Sequence, residues 1–115
     1  MVYHGSLNGR TVSGTAAKWI ADIEPGADTA VLLTFVNTVF RGQPFCTEHR
    51  YGKGCAIYIG SHLIDAGTER QILQYALDGA GVSRPALPEN VQCLSRGNVV
   101  FLLNFNDDEV SFPLP

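Results

Sequence analysis

The clearest periodic pattern in the sequence is one apolar stripe at helical spacing in its second half. The apolar residues recur at i, i+1, i+4, i+5 and i+8, which places their side chains on one face of a helix. The stripe consists of Ile72, Leu73, Ala76, Leu77 and Ala80. Thr68 with Gln71 predicts a capping box at the helix start, and Gly79 or Gly81 can provide a left-handed stop. The rest of the core must therefore come largely from strands.

The strands are predicted in the first half of the chain. Residues 1–10 hold few apolar positions and are expected to form a loose lead-in. One strand is predicted within 11–23 and a second over 29–36, which is apolar almost throughout, as in a central strand buried on both faces. Gly52 and Gly54 fall between two further strands, 45–51 and 55–59, and predict an antiparallel hairpin. The helical stripe is expected to pack on the strands at 29–36 and 55–59.

A proline-containing segment divides the chain. Residues 83–90 hold two prolines and no periodicity, which predicts a stiff linker. Beyond it, short strands at 91–94, 99–105 and 110–114 predict a small antiparallel β meander. The expected fold class is α+β, with a mixed, largely antiparallel sheet and one main helix before the meander. The expected parts are a lead-in at 1–10, an α/β portion at 11–82, a linker at 83–90 and a partial β domain at 91–115.

Composition excludes several classes of protein. Hydrophobic residues make up 45% of the 115 residues and charged residues 17%, which is typical of a globular chain rather than a disordered one. The net charge is −3 and no stretch concentrates Lys or Arg, so neither a nucleic-acid partner nor a membrane partner is expected. The first ten residues lack the pattern of a secretory signal, and a cytoplasmic location is predicted. Three irregularly spaced cysteines are expected to remain free thiols.

The cysteines and histidines superficially resemble a zinc set. Cys46 and His49 have a spacing that zinc sites use, and Cys55 and His62 follow. However, residues three apart on a strand point to opposite faces of its sheet, so Cys46 and His49 cannot share a metal without a bulge. No stoichiometric zinc is expected. The same geometry weakens Cys46 as a nucleophile with His49 as its base, although a histidine on another strand could serve.

Other chemistry-bearing residues have simple structural interpretations. Carboxylates that could act in pairs lie at turns, where acidic residues usually face water; they are Asp22, Glu24, Asp107, Asp108 and Glu109. The glycines at 52, 54 and 60 do not form a phosphate-binding motif. Aromatic residues that could stack on sugars are more often core; they are Tyr51, Tyr58, Phe101 and Phe105. No catalytic, cofactor-binding or metal-binding residue is predicted.

The order of several motifs resembles the C-terminal part of family-42 glycoside hydrolases, which are β-galactosidases. The segments that carry the resemblance are VLLTF at 31–35, FRGQP at 40–44, HRYGKGCAIYIG at 49–60, DGAGV at 78–82 and VFLLNF at 100–105. They cover roughly residues 15 to 115 in order. The chain departs from the family at Thr38 and Val39, where an acidic-aromatic pair is common, and at Phe105, where a histidine is usual.

The resemblance implies an assembly role. In that family a barrel domain with two catalytic glutamates precedes a glutamine-amidotransferase-like α/β domain used for trimer assembly, and a small β domain follows. This chain resembles the end of the second domain and the start of the third, so it is expected to be a non-catalytic piece of such an enzyme. The implied partners are its parent domains and the other subunits of a homotrimer, and no cofactor is implied.

Two other classes of function stay open at this level. A small carbohydrate-binding β module could use Trp19 and the tyrosines to stack on sugar rings. A small thiol enzyme is less compatible with the sequence, because the amidotransferase nucleophile is a cysteine at a strand-to-helix turn. Ser61 and His62, not a cysteine, precede the one clear helix.

Overall fold

The computed structural model describes residues 1–63 and 65–113, with Leu63 as backbone only. It shows an α+β architecture dominated by antiparallel strands, as the sequence predicted. The chain divides into two compact units, Met1–Val82 and Ser83–Pro115. The division falls where the proline-containing linker was predicted to begin.

The first unit is built on one five-stranded sheet. Its strands lie side by side in the order β2, β1, β4, β5, β6, and each neighbouring pair is antiparallel. They are β1 (Val2–Leu7), β2 (Arg10–Thr15), β4 (Thr29–Phe35), β5 (Pro44–Tyr51) and β6 (Gly54–Ile59). A separate antiparallel pair joins β3 (Ala17–Ile20) to β7 (Ser61–Leu63). No parallel pair occurs among the described residues, so the expectation of a mixed sheet was wrong there.

The first ten residues do not form a loose lead-in, and that prediction was wrong. They contain β1, which lies between β2 and β4. Tyr3 is 0% exposed and Leu7 4%, so two apolar residues of this segment lie in the core. Asn8 and Gly9 have φ angles of 50° and 75° in the turn before β2. Asn-Gly favours the left-handed turn that closes a two-residue hairpin, and this local signal accounts for the fold of the segment.

The other strand predictions had mixed outcomes. The segment 11–23 contains two strands, β2 and β3, rather than one. β4 is central as predicted, but it is not buried on both faces along its length, since Val31 is 41% exposed while Leu33 and Phe35 are buried. The β5–β6 hairpin is confirmed, with Tyr51 opposite Gly54. Gly52 has a φ of 57°, which a residue without a Cβ adopts at low cost.

The helix is confirmed, but its cap differs from the prediction. α1 spans Ala66–Gly79, and Asp65 is its N-cap, with the Asp65 carboxylate accepting a hydrogen bond from the Thr68 backbone N–H. Thr68 therefore lies inside the first turn. At the other end, Gly81 has the left-handed φ of 68° that was predicted for one of two glycines. The Val82 N–H donates to the Leu77 carbonyl and the Gly81 N–H to the Asp78 carbonyl, which is a Schellman stop.

The expected packing of the helix was wrong. Among the apolar residues of its stripe, only Ile72 is buried, at 5% exposure, whereas Leu73 is 58% and Leu77 38% exposed. Its main contacts are with β1 and β2, not with β4 and β6. The reason is that residues 1–15 form a hairpin that the sequence prediction overlooked, and the helix packs on this hairpin.

Aromatic rings form the centre of the first unit. Tyr3 and Phe45 are stacked with ring centroids 4.1 Å apart, and Phe35 meets Phe45 edge-on at 5.2 Å. Ile72 of the helix joins this cluster. Aromatic pairs of this geometry stabilise a core beyond the area they bury. They fix β1, β4 and β5 against one another.

The second unit contains one hairpin, formed by β8 (Val91–Arg96) and β9 (Val99–Asn104). The predicted third strand at 110–114 was wrong over 110–113, which are not in a strand, and Leu114 lies outside the described residues. The Asn104 side chain donates to the carbonyl of Asp108 at 2.9 Å and stabilises a turn there. Pro113, which lacks a backbone N–H, cannot donate to a ladder.

Candidate functional site

A hydrogen-bonded triad joins the first strand to the start of the helix. The Tyr3 hydroxyl donates to Oδ2 of Asp65 and also lies 2.8 Å from Oγ1 of Thr68. The Thr68 hydroxyl donates to the same Asp65 oxygen at 3.0 Å, and its backbone N–H donates to Oδ1 at 2.9 Å. Tyr3 and Thr68 are buried, at 0% and 1% exposure, whereas Asp65 is exposed.

The triad shifts the protonation equilibria of its members. Burial, reinforced by the hydrogen bond to Asp65, raises the pKa of Tyr3 to about 12. The hydrogen bond from Tyr3 lowers the pKa of the Asp65 carboxyl below its ordinary value. Both shifts favour a neutral phenol that donates to an ionised carboxylate. Tyr3 therefore stays protonated near neutral pH and acts as a structural donor rather than as an acid or a base.

Gly14 makes room for the triad. It lies opposite Tyr3 in the β1–β2 ladder. A Cβ at this position would collide with Oδ2 of Asp65 and with the Tyr3 hydroxyl, and would stand 2.7 Å from Cζ of Tyr3. The absence of a side chain at residue 14 is thus a requirement of the hydrogen bond between Tyr3 and Asp65.

The structure separates the cysteines and histidines considered as a metal set. Cys46 is fully buried, and burial together with the nearby Glu48 raises the pKa of its thiol to about 12. His49 is half-buried, with Nδ1 3.4 Å from Oγ1 of Thr29 and 3.8 Å from a carboxylate oxygen of Asp28. Within residues 1–63 and 65–113, no group of three or more His, Cys, Asp or Glu side chains is placed to hold a metal. A protonated, buried thiol is a poor nucleophile as well as a poor ligand.

The turn carboxylates are all exposed, as the sequence predicted; they are Asp22, Glu24, Asp107, Asp108 and Glu109. Tyr51 and Tyr58 were considered as core aromatics, but they are 82% and 52% exposed. Phe101 and Phe105 are likewise about half exposed or more, at 49% and 63%. These four aromatic residues are therefore exposed rather than part of the core.

The first unit exposes apolar side chains in several places. Leu73 and Leu77 lie on the outer part of the helical stripe. Trp19 is 59% exposed, and its ring is stacked on that of His62 with centroids 6.1 Å apart and an interplanar angle of 20°. Val39, at 88%, is the most exposed of the large hydrophobic residues described. A few exposed apolar side chains are normal on any protein surface. An apolar helix face that is only partly buried is unusual.

The strongest feature of the second unit is an uncovered apolar strand. Five consecutive residues of β9 are large and hydrophobic, and each is between 39% and 56% exposed; they are Val99, Val100, Phe101, Leu102 and Leu103. Successive side chains on a strand point to opposite faces. Both faces of β9 are therefore apolar and partly exposed to solvent. This pattern is typical of a strand that is buried on both faces. We call these five residues the β9 run.

Sequence reasoning missed the triad and found the β9 run only as a core strand. The missed signal was Asp65, an N-cap residue three positions before Thr68 and directly before the helical pattern. No local signal links Tyr3 to Asp65, because 62 positions separate them.

Comparison with known proteins gives no relative. No model of a known protein family matches the chain, and neither a curated protein nor a solved structure shows significant similarity to it. Over the part of the chain that the structure describes, no helix is both long and apolar enough to cross a membrane.

Proposed function

We propose that this chain is a non-catalytic assembly module of a family-42-type β-galactosidase, corresponding to the end of its trimerisation domain and the start of its C-terminal β domain. The β9 run is the observation that carries an assembly role. The motif order between residues 31 and 105 supports the particular enzyme class, and its glutamine-amidotransferase-like fold is part of the same proposal.

The β9 run needs a partner for energetic reasons. Each large apolar side chain that leaves water contributes roughly 1.5 to 3 kcal/mol when fully buried, and five of them stand half exposed. A two-stranded hairpin is at best marginally stable in water without a third strand or a packed helix. Further protein surface that covers both faces of β9 would stabilise the hairpin and remove the exposed apolar area.

The outer helix stripe points to assembly in the first unit. Leu73 and Leu77 are four residues apart and lie on one face of α1, next to the buried Ile72. A continuous apolar face that is buried at one edge and open at the other fits a helix shared between its own sheet and a neighbouring domain or subunit. Leu73 and Leu77, which the sequence pattern assigned to the core, would then be buried when the assembly forms.

The chemistry of the described residues agrees with a non-catalytic role. The nucleophile candidate Cys46 is held protonated by burial, and the turn carboxylates are exposed to water. Under this proposal the two glutamates that cleave β-galactosides by a retaining mechanism lie in the barrel domain of the parent enzyme. The partners of the chain are those parent domains and the other subunits of a homotrimer.

A chimera tests the proposal. The corresponding segment of a family-42 β-galactosidase is replaced by Met1–Pro115, because β1 belongs to the sheet and must be included. The expected result is a trimer that hydrolyses β-galactosides. A matched chimera with Leu73→Asp places a charge on the open face of α1, in the portion that corresponds to the trimerisation domain, and should lose the trimer. If both chimeras are monomers although circular dichroism shows that each barrel is correctly folded, the proposal is contradicted.

One observation favours carbohydrate binding as a second candidate function. The exposed indole of Trp19, whose ring is stacked on that of His62, offers an aromatic ring of the kind on which sugar rings pack. Galactoside titration followed by NMR separates the two candidates. Saturable shifts at Trp19 and His62 that disappear in Trp19→Ala, and persist in Tyr51→Ala, would support binding, whereas flat spectra favour assembly.

A further inference from the structure

We propose that Asn8 is a site of spontaneous deamidation, and that this modification releases the β1–β2 turn from the C-terminal end of α1. The sequence contains one Asn-Gly dipeptide, Asn8-Gly9. Both residues are exposed, and they form the two-residue turn between the opposed residues Leu7 and Arg10. A Cβ placed on Gly9 would meet nothing within 4 Å, so the turn is open to water.

The reaction needs only the two residues and water. The backbone nitrogen of Gly9 attacks Cγ of Asn8, a new C–N bond forms, and the C–N bond to the side-chain amine breaks. The proton lost from the Gly9 nitrogen is balanced by the proton taken up by the departing amine, which leaves as ammonia. Water then opens the five-membered imide at either carbonyl and gives Asp or isoaspartate at residue 8. Glycine favours the attack because it has no Cβ beside the nucleophile.

The other asparagines are less suited to this reaction. Each is followed by a residue with a side chain; the pairs are Asn37-Thr38, Asn90-Val91, Asn98-Val99, Asn104-Phe105 and Asn106-Asp107. Several are also held in place by hydrogen bonds. Oδ1 of Asn37 accepts from the Val2 N–H at 2.8 Å, and the Asn106 amide donates to the carbonyl of Glu89 at 2.9 Å. These residues are internal controls for selectivity.

One contact gives the modification a structural consequence. The Asn8 side-chain amide donates to Oδ2 of Asp78 at 3.2 Å, across 70 positions of sequence. Asp78 is the penultimate residue of α1, where the helix already presents the negative end of its dipole. A carboxylate at residue 8 cannot donate to Asp78, because an ionised carboxylate has no proton. The product therefore exchanges an attractive contact for a repulsive one at this end of the helix.

The same contact slows the reaction in the folded chain. The hydrogen bond to Asp78 holds the Asn8 side chain against the helix, away from free rotation toward the Gly9 nitrogen. Removal of the acceptor in Asp78→Ala should therefore speed deamidation of Asn8 and leave the controls Asn37 and Asn106 unchanged.

The first experiment follows the full-length chain in mildly alkaline buffer at physiological temperature by peptide mass spectrometry. The expected result is the mass gain of an NH₂-to-OH exchange in the peptide that contains residue 8, with isoaspartate detected enzymatically. The rate should rise several-fold in Asp78→Ala. The proposal is overturned if the gain occurs first at Asn37, Asn98 or Asn106, or if residue 8 stays intact while a peptide of the same turn sequence deamidates.

A thermal-unfolding cycle tests the consequence separately. Asn8→Asp should lower the Tm by roughly 1 to 4 °C, as expected for an exposed contact in a chain of this size. In an Asp78→Asn background the same change should have little effect, because the amide introduced at residue 78 can donate to the carboxylate introduced at residue 8. An equal decrease in Tm in both backgrounds would show that the effect of residue 8 does not depend on Asp78, and would overturn the coupling.

Discussion

The Tyr3 hydroxyl donates a hydrogen bond to the Asp65 carboxylate and thereby joins the first strand of the chain to the N-cap of its one described helix. The phenol is buried against Phe45, while the carboxylate faces water. The contact orders the helix start relative to the sheet, and this arrangement sets which part of the apolar stripe is buried and which part is left open.

Removal of the Tyr3 hydroxyl should measurably destabilise the chain. Tyr3→Phe keeps the ring stacking but removes the hydrogen bond to the Asp65 carboxylate, and we expect a loss of about 1 to 3 kcal/mol in the free energy of unfolding. Urea denaturation measures it. Tyr51→Phe is the matched control, since Tyr51 is 82% exposed, and it should change stability by less than about 0.5 kcal/mol. Equal effects of the two variants would contradict the structural role of the triad.

The stability of the chain at acidic pH should depend on the ionisation of Asp65. Its folded-state pKa is lowered from the ordinary value of 3.8, so its contribution is complete above that value and is lost as pH falls through the lower folded pKa. The expected sign is less stability in acid. Asp65→Asn should flatten this part of the profile, because the substituted amide does not titrate. A profile that is unchanged by Asp65→Asn would contradict the shift.

Neighbouring residues of the helical stripe should respond very differently to truncation. Ile72→Ala removes a buried side chain and should cost about 2 to 5 kcal/mol. Leu73→Ala removes one that is 58% exposed and should cost roughly 0.5 kcal/mol or less in the isolated chain. Differential scanning calorimetry compares the two. A large loss with Leu73→Ala would show that the helix packs this residue against its own unit.

The chain alone should not hydrolyse chromogenic β-galactosides. Glu24 is exposed near a turn, and Glu48 lies on β5 beside the buried thiol of Cys46. Neither position provides the paired carboxylates that glycoside cleavage requires. The assay uses purified protein with nitrophenyl galactoside. Turnover that is lost in Glu24→Gln or Glu48→Gln would overturn the expectation, and turnover unaffected by both would indicate a contaminant.

Local signals account for the elements that could be predicted from the sequence. The helix has a stripe and a glycine stop, and the β5–β6 hairpin has turn glycines between two apolar runs. The place of β1 could not be read in this way, because Tyr3 owes its burial to Phe35 opposite and to Phe45 against its ring. The open half of the helical stripe has a related cause. A periodic pattern shows that a face will be buried, but it does not show whether the covering surface belongs to the same unit.

The same distinction between local sequence signals and long-range contacts applies to the candidate site. The β9 run is visible in the sequence as an apolar strand, and its exposure could be found only from the structure. The triad depends on Gly14 and on a contact across most of the first unit, neither of which has a local signature.

Sedimentation equilibrium over a wide range of concentrations tests the assembly role most directly. We expect a weight-average mass that rises with concentration and is insensitive to added salt, because apolar contacts are not screened as ion pairs are. Phe101→Asp in the β9 run should reduce the association, and Tyr51→Asp should not. A strict monomer at the highest soluble concentration, unchanged by salt and by Phe101→Asp, would contradict the assembly role.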